Sequence, residues 1–142
     1  MAGLAIVGAS DRTIWTDWLL RTTSRFGYPH PVHLVNPGRQ EVFGHPCYPS
    51  VEALPEVPDV AILIVGAPRA VEECRKLIAL GCGEICVIAN GFRETGLPEG
   101  RELEARLAEV CAGASARVIG PNCVGFARFH ERLCVLAQPL PK

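Results

Sequence analysis

The feature that most constrains the fold of this chain is a short apolar run that recurs five times and always ends in a turn of small and polar residues. The runs end at Val7, Val35, Val65, Ala89 and Ile119. Continuous apolar runs of this length are typical of strands buried on both faces of a parallel sheet. Because helical patterns lie between several runs, the sequence predicts an α/β fold with a mainly parallel sheet, right-handed crossovers and helices on both faces.

Three segments between the runs have the spacing of amphipathic helices. The first has an apolar stripe over residues 15–26, the second begins at Pro68, and the third includes residues 103–111. Their ends are marked, in chain order, by Gly27, Gly81 and Gly113. Residues 60–65 form the most apolar run, which should therefore lie centrally in the sheet.

The segment over residues 43–58 interrupts this alternation because it contains four prolines. Proline has no backbone N–H, so we expect neither a regular internal strand nor a long helix here. Ser50 can cap a single helical turn over residues 51–54, as a connector would.

The first turn, residues 8–12, has the composition of a phosphate-binding turn between a strand and a helix. Gly8 permits a tight bend and a close approach to a ligand, and Ser10 or Asp11 can cap the following helix, whose N-terminus favours an anion. No second or third glycine completes the G-x-G-x-x-G spacing of dinucleotide-binding turns. From this stretch alone, an anion site and a turn that binds nothing both remain open.

Composition excludes several classes of protein. The chain has the length of one domain at 142 residues, and 49% apolar residues, 20% charged residues and a net charge of −1 indicate neither disorder nor nucleic-acid binding. The apolar runs are too short to cross a membrane, and the N-terminus lacks the features of a signal peptide. We therefore expect a cytoplasmic protein with no membrane partner.

Seven cysteines, an odd number, lie mostly within apolar or periodic segments, and we expect most of them to be reduced and buried. A zinc site is the alternative, because His45 lies near Cys47, and Cys82 lies near Cys86. No C-x-x-C pair is present and Pro46 separates His45 from Cys47, so we predict no metal site.

Six motifs in chain order give the chain a specific resemblance. They are Val7-Gly8-Ala9-Ser10, Val35-Asn36-Pro37-Gly38-Arg39, Pro49-Ser50 ahead of Asp59, Val65-Gly66-Ala67-Pro68, Asn90-Gly91-Phe92 with Glu94-Thr95-Gly96, and Gly120-Pro121-Asn122-Cys123-Val124-Gly125. In this order they resemble the CoA-binding domain at the N-terminus of the NDP-forming acyl-CoA synthetases, the family that includes the α subunit of succinyl-CoA synthetase. The resemblance extends from residue 4 to about residue 125 and implies a Rossmann-like domain.

The resemblance also implies where coenzyme A would lie. The adenosine-phosphate end would lie over the first two turns, at Gly8, Ala9, Ser10, Asp11, Arg12, Asn36, Pro37 and Arg39. The pantetheine arm would pass Val65, Gly66, Ala67, Pro68, Asn90, Gly91 and Phe92 toward Asn122 and Cys123. Arg39 stands where the family often has lysine, and its guanidinium can bind a phosphate through two parallel hydrogen bonds.

No catalytic residue is predicted. Cys123 could be a nucleophile with a lowered pKa beside Asn122 and a helix start, but we favour a structural role because no histidine is close to it in sequence. His130 is near the last motif and is also expected to be structural. We expect a single domain over residues 1–142, with residues 126–142 as a C-terminal extension or the beginning of a second domain that is absent from this chain.

These observations favour a CoA-binding or acyl-CoA-binding module that does not catalyse a reaction alone. Full-length synthetases of the family add a phosphohistidine domain and an ATP-grasp domain, so such domains or subunits are the implied partners, together with a possible homo-oligomer. One alternative is the NADP-binding domain of an oxidoreductase; NAD is disfavoured because Asn36, Pro37 and Arg39 stand where its acidic residue would be. The other is a regulatory or interaction domain that has lost its ligand.

Overall fold

The computed structural model describes residues 3–141 as a layered α/β structure. Its strands are β1 (Leu4–Val7), β2 (Val32–Val35), β3 (Glu41–Val42), β4 (His45–Tyr48), β5 (Val60–Leu63), β6 (Glu84–Val87), β7 (Arg117–Ile119), β8 (Gly125–Arg128) and β9 (Leu133–Leu136). Its helices are α1 (Ile14–Arg25), α2 (Ala67–Leu80) and α3 (Pro98–Cys111). Three short 3₁₀ turns cover Val51–Ala53, Arg93–Thr95 and Phe129–Glu131.

The main sheet has seven strands in the order β3-β4-β2-β1-β5-β6-β7. All neighbouring strands are parallel except β3, which is antiparallel to β4. β1 lies in the middle of the order, and β5 is an interior strand between β1 and β6. The predicted α/β architecture with a mainly parallel sheet is confirmed.

The sheet separates two apolar layers, because successive side chains of a strand point to opposite faces. On one face, Ala5, Val7 and Leu63 pack with α2, α3 and the turn at Val51–Ala53. On the other face, Leu4 and Ile6 pack with α1 and β9. Helices therefore cover both faces, as the sequence predicts.

The helices end close to the predicted positions. α2 is followed by Gly81 with φ of 94°, a left-handed conformation in which a side chain would be strained. Pro68 is the second residue of α2 rather than the first. No helix in the described part of the chain is both long enough and apolar enough to cross a membrane.

The prediction for residues 43–58 is partly wrong, since β4 (His45–Tyr48) belongs to the sheet. Only Cys47 and Tyr48 pair with β2, whereas Pro46 lies opposite Glu41 of the two-residue edge strand β3. Pro46 therefore sits outside the ladder to β2, where its missing N–H is tolerated. The single helical turn expected after Ser50 is present at Val51–Ala53, but the predicted cap is wrong, since Ser50 makes no side-chain cap hydrogen bond.

The hairpin formed by β8 and β9 was not predicted. Its strand β9 contributes Leu133, Cys134 and Val135 to the buried interior, packed against α1. The Thr23 hydroxyl donates to the Cys134 carbonyl oxygen at 3.3 Å, and the Leu136 N–H donates to the Thr22 hydroxyl at 3.3 Å. Within the described residues, the hairpin thus belongs to the hydrophobic core on the α1 side of the sheet.

Candidate functional site

The five predicted turns lie side by side along one edge of the sheet. We name them turn 1 (residues 8–12), turn 2 (36–39), turn 3 (65–68), turn 4 (90–92) and turn 5 (120–124). Each follows the carboxyl end of a parallel strand, and the sheet order brings these ends to the same edge. This edge is where ligands bind in open α/β sheets.

Direct contacts connect neighbouring turns. The Asn36 side-chain amide donates to the Ala9 carbonyl oxygen at 2.8 Å, which joins turn 2 to turn 1. The Asn122 N–H donates to the Ala89 carbonyl oxygen at 3.0 Å, which joins turn 5 to the residue before turn 4. Hydrogen bonds thus connect the turns at both ends of this edge.

Gly8 lies where turn 1 meets turn 3, and the space there excludes a side chain. Its φ is 92°, and a Cβ atom would lie 2.6 Å from Cγ1 of Val65 and 2.9 Å from the Ile64 carbonyl oxygen. Gly91 of turn 4 is similar but looser, because its Cβ would lie 3.2 Å from the Cβ of Ala67. Glycine at both positions lets turn 3 approach turns 1 and 4 closely, so the five turns form one continuous row.

Most backbone N–H groups of turn 1 already have partners inside the protein. Those of Gly8 and Ala9 donate to the Val35 carbonyl oxygen at 2.8 and 3.2 Å, and that of Ser10 donates to the Thr16 hydroxyl at 3.0 Å. The Arg12 N–H donates to the Ser10 hydroxyl at 3.0 Å. The backbone donors that the sequence predicts for a phosphate are therefore largely occupied.

The prediction that Ser10 or Asp11 caps α1 is wrong. α1 begins at Ile14, so the preceding residue is Thr13, which makes no side-chain cap hydrogen bond. Ser10 instead closes a local turn by accepting from Arg12, a common alternative for serine. The first turn of α1 therefore keeps its N–H groups free of a side-chain cap, as an anion site requires.

Turn 2 carries the partly buried guanidinium group of the site. Arg39 is partly buried, and its Nη1 lies 3.1 Å from Oδ1 of the half-exposed Asp11 in turn 1. Asn36 fixes the shape of turn 2, because its Oδ1 accepts from the Gly38 N–H at 2.9 Å while its Nδ2 binds Ala9. Pro37 is exposed. Turns 1 and 2 thus combine one positive and one negative side chain in an ion pair.

In turn 3, Val65 is partly buried, Gly66 and Pro68 are exposed, and Ala67 is buried. In turn 4, Asn90 is exposed, whereas Phe92 is completely buried among the α2 and α3 core residues. The Phe92 side chain therefore cannot line an open ligand path, and only its backbone remains available to the site.

Glu94 is a residue of this edge that was not among the predicted site residues. Its carboxylate accepts from the N–H groups of Gly91 and Phe92, the latter at 3.1 Å to each oxygen. Desolvation opposes ionisation, but these backbone donors hold the pKa of Glu94 below its ordinary value. The resembling motif Glu94-Thr95-Gly96 is the sequence signal that could have identified it.

Turn 5 brings Asn122 and Cys123 to the end of the row. Asn122 is exposed with φ of 53°, a conformation that asparagine tolerates better than most residues. Cys123 is partly buried, and its Sγ lies 3.6 Å from the Sγ of Cys86 in β6. The helix start expected after Cys123 is wrong, since strand β8 follows turn 5.

A groove of about 740 Å³ lies elsewhere, along the outer side of α1. It is lined by residues such as Trp18, Arg21, Phe43 and Leu140, and none of its lining residues belongs to the five turns. Within residues 3–141, no group of three or more His, Cys, Asp or Glu side chains is arranged to hold a metal ion.

Comparison with known proteins identifies the family. A family model described as a CoA binding domain matches residues 3–128, which include all five turns. The chain belongs to the CoA-binding domain family. The resemblance inferred from the motifs is confirmed, and coenzyme A is the ligand that characterises this family.

Similar proteins place the CoA-binding domain among acyl-CoA synthetases. Over 125 residues it is 39% identical to ADP-forming acetate–CoA ligase I of Archaeoglobus fulgidus, covering 86% of the chain and 18% of the ligase. Over 136 residues it is 33% identical to the α subunit of ADP-forming acetate–CoA ligase II of Pyrococcus furiosus, covering 92% of the chain and 28% of the subunit.

A solved structure agrees with this placement. The dinucleotide-forming acetyl-coenzyme A synthetase 1 of Ca. Korarchaeum cryptofilum, in complex with phosphate and ADP, superposes with a TM-score of 0.85 at 31% identity. The match covers 97% of this chain and 29% of the synthetase chain. The chain therefore spans less than a third of each of these proteins.

Proposed function

We propose that the row of five turns binds coenzyme A, with the adenosine-phosphate end at turns 1 and 2 and the pantetheine arm along turns 3 and 4 toward turn 5. The observation that carries this proposal is the continuity of the row in a chain of the CoA-binding family. An extended ligand with an anionic end and a thin, flexible arm suits a long edge better than a compact pocket.

The phosphate end is assigned to turns 1 and 2 because Arg39 supplies a positive charge there. Since the N–H groups of Gly8, Ala9, Ser10 and Arg12 donate within the protein, the Arg39 guanidinium is the main candidate for phosphate recognition. Two parallel hydrogen bonds from a guanidinium to a phosphate are stronger than neutral ones. Arg12 is exposed in turn 1 and can add a second charge.

The pantetheine arm is assigned to turns 3 and 4 because these turns are built from small residues. Gly66 is exposed with open space around it, and Gly91 lies against Ala67. Backbone groups of such turns can hydrogen-bond amides of a ligand without side chains in the way. The arm then ends near Asn122 and Cys123.

An NADP-binding oxidoreductase domain is the competing function, because Arg39 could also hold a ribose phosphate. The structure offers one observation against it. Asn36, which stands where a ribose-binding side chain would be, uses both its Oδ1 and its Nδ2 inside the protein. A regulatory domain without a ligand is the third possibility.

Calorimetric titration of the purified chain with CoA, acetyl-CoA, NADP and NAD separates the three. We expect CoA to bind with a micromolar-class Kd and Arg39→Ala to weaken binding about tenfold or more, because a charge-assisted contact is lost. Arg106→Ala is the matched control, since Arg106 is exposed on α3 and pairs only locally with Glu102 at 2.8 Å.

The Arg106→Ala variant should bind CoA as the wild type does. Binding of NADP without binding of CoA would establish the oxidoreductase alternative. Failure of all four ligands would favour the ligand-free regulatory domain. An equal loss of affinity in both arginine variants would show that turn 2 has no specific role.

The proposal extends to the larger system. We infer that this domain supplies the CoA site of an NDP-forming acyl-CoA ligase or a related acyltransferase in the cytoplasm, with ATP-grasp and phosphohistidine domains or subunits as partners. The relatives named as ADP-forming acetate–CoA ligases support this assignment. On this basis the chain alone forms no acyl-CoA, because it contains only the CoA-binding part.

A further inference from the structure

Two cysteines from distant parts of the chain meet beneath turn 5. Cys86 is completely buried in β6, and Cys123 is partly buried in the turn that follows β7. Their sulfur atoms lie 3.6 Å apart, although the residues are separated by 37 positions in the sequence. Both pack on the sheet face that is covered by α1 and β9.

The two thiols have different surroundings. Hydrogen bonding to Cys86 lowers the pKa of Cys123, and the N–H groups of Gly125 and Cys123 lower it further. The same contact, together with burial, raises the pKa of Cys86. Because Cys86 is completely buried and Cys123 is only partly buried at the sheet edge, Cys123 is the thiol that ionises and meets a reagent, and Cys86 keeps its proton beside it.

The protonated form of Cys123 also has a partner, because its Sγ lies 3.5 Å from the Val87 carbonyl oxygen. This acceptor belongs to the same strand as Cys86. Both alternative contacts therefore hold the Cys123 sulfur over β6, next to the Cys86 sulfur.

The geometry points to a reversible dithiol–disulfide pair formed by Cys86 and Cys123, with Cys123 as the attacking thiol and Cys86 as the resolving thiol. The oxidant is a low-molecular-weight disulfide. The Cys123 thiolate attacks one of its sulfurs, which releases one small thiolate and leaves a mixed disulfide on Cys123. The Cys86 thiol loses its proton and attacks the Cys123 sulfur, so the second small thiolate leaves. The protein gives up two electrons and two protons, and the small disulfide is reduced to two thiols.

Closing the pair requires the two sulfur atoms to approach each other. A disulfide bond is about 2.05 Å long, so the two sulfurs must approach by roughly 1.5 Å. Cys86 lies within a strand paired on both sides, whereas Cys123 lies in a turn at the sheet edge. Turn 5 is therefore the part that moves, and oxidation would fasten it to β6.

The test uses glutathione disulfide as the oxidant on the fully reduced chain. Cys82 and Cys86 share one tryptic peptide, but Glu84 lies between them, so trypsin with a glutamate-specific protease yields residues 85–93 and 118–128, each with one cysteine. We expect these two peptides to be cross-linked, with the loss of two hydrogen atoms, and excess thiol to release them.

Two serine variants test the order of the steps. Cys86→Ser should stop at a stable mixed disulfide between glutathione and Cys123, because the resolving thiol is absent. Cys123→Ser should leave Cys86 as a free thiol. Modification of Cys86 in the Cys123→Ser chain, or a mixed disulfide on Cys123 that persists in the wild type without a cross-link, would overturn the proposal.

A measurement on the wild-type chain avoids any folding defect of the variants. With limiting iodoacetamide at neutral pH, Cys123 should react about tenfold faster than Cys47, whose pKa is raised by burial. The rate of alkylation at Cys123 should reach half of its maximum at a pH below about 8.5, which is the usual pKa of free cysteine. Equal rates at Cys47 and Cys123 would contradict the proposal.

The pair of Cys74 and Cys111 is an internal control. These thiols also neighbour each other, but desolvation raises both pKa values, that of Cys74 to about 12. We therefore expect the Cys74–Cys111 cross-link to form after the Cys86–Cys123 cross-link. The reverse order would overturn the proposal. Neither outcome depends on CoA binding, so this test and the titration can fail separately.

Discussion

Single residues decide how closely the turns of the candidate CoA site approach one another. Gly8 is the clearest case, because turn 3 leaves no space for a side chain at this position. Glu94 has a different role, since its carboxylate accepts hydrogen bonds from two backbone N–H groups of turn 4. Gly8 permits the close contact between turns 1 and 3, and Glu94 fixes the backbone of turn 4 through hydrogen bonds.

Replacing Gly8 with alanine should destabilise the fold. The new Cβ would meet Val65 and Ile64 at 2.6 and 2.9 Å, and a φ of 92° is unfavourable for alanine. Strain and overpacking together should lower the free energy of unfolding by about 2–4 kcal/mol. Urea denaturation of both chains measures the difference.

Gly44→Ala is the matched control for Gly8→Ala. Gly44 also has a positive φ, 78°, but no atom lies within 4 Å of the Cβ position. Gly44→Ala should therefore lower the free energy of unfolding only through backbone strain, by about 1 kcal/mol. Equal losses in the two variants would show that the contact with turn 3 does not matter.

Glu94→Gln should reduce stability in a pH-dependent manner. Because the folded-state pKa of Glu94 is below its ordinary 4.5, its ionised carboxylate contributes stability fully above pH 4.5. That contribution is lost as the pH falls through the folded-state pKa. The Tm difference between wild type and variant, measured from neutral pH downward, should be largest near neutrality and shrink in acid.

Glu109→Gln provides the comparison for Glu94→Gln, since Glu109 is exposed on α3. Its Tm difference from wild type should stay small and should not follow the same pH profile. If Glu94→Gln matched the wild type at neutral pH, the hydrogen bonds to Gly91 and Phe92 would have no energetic role.

Among the elements, the β8–β9 hairpin has the most unexpected role. It covers part of the same sheet face as α1, and three of the four residues of its strand β9 are buried. An ion pair between Arg128 of β8 and Glu84 of β6, at 2.6 Å, connects the hairpin to the main sheet. The hairpin thus shares both apolar and polar contacts with the central structure.

Leu133→Ala tests whether the hairpin unfolds together with the sheet. Leu133 is completely buried, so truncation should lower the free energy of unfolding by about 2–5 kcal/mol. Leu97→Ala is the control because Leu97 is 58% exposed, and it should change stability by less than about 0.5 kcal/mol. The free energy of unfolding of both variants is measured by chemical denaturation. If Leu133→Ala lost no more stability than Leu97→Ala, the hairpin would not be part of the cooperative unit.

At the scale of the whole molecule, the parallel sheet turns five local sequence motifs into one surface. Parallel strands all end at the same edge, so turns that are far apart in the chain become neighbours. The row is long enough to suggest an extended ligand, while the groove of about 740 Å³ lies away from it. Sheet order, rather than a single deep pocket, defines the candidate CoA site.

Much of this could be predicted from the sequence. The five apolar runs, the helix ends at Gly27 and Gly81, and the family motifs depend on residues close together in the chain, where period and turn chemistry are informative. The hairpin could not be recognised because its strands follow the last motif without a distinct turn signal. β4 was missed because the rule against proline applies only to ladder positions that need an N–H.

The sequence by itself determined the α/β class, the places where the chain turns and the family to which it belongs. Only the tertiary structure decided which donors of turn 1 are already engaged, that Asp11 faces Arg39, and that Cys86 lies beneath Cys123. The physical reason is the distance along the chain over which each effect acts. Hydrophobic period and turn composition act between near neighbours, whereas these contacts arise from strand order and from the packing of turns that strand order brings together.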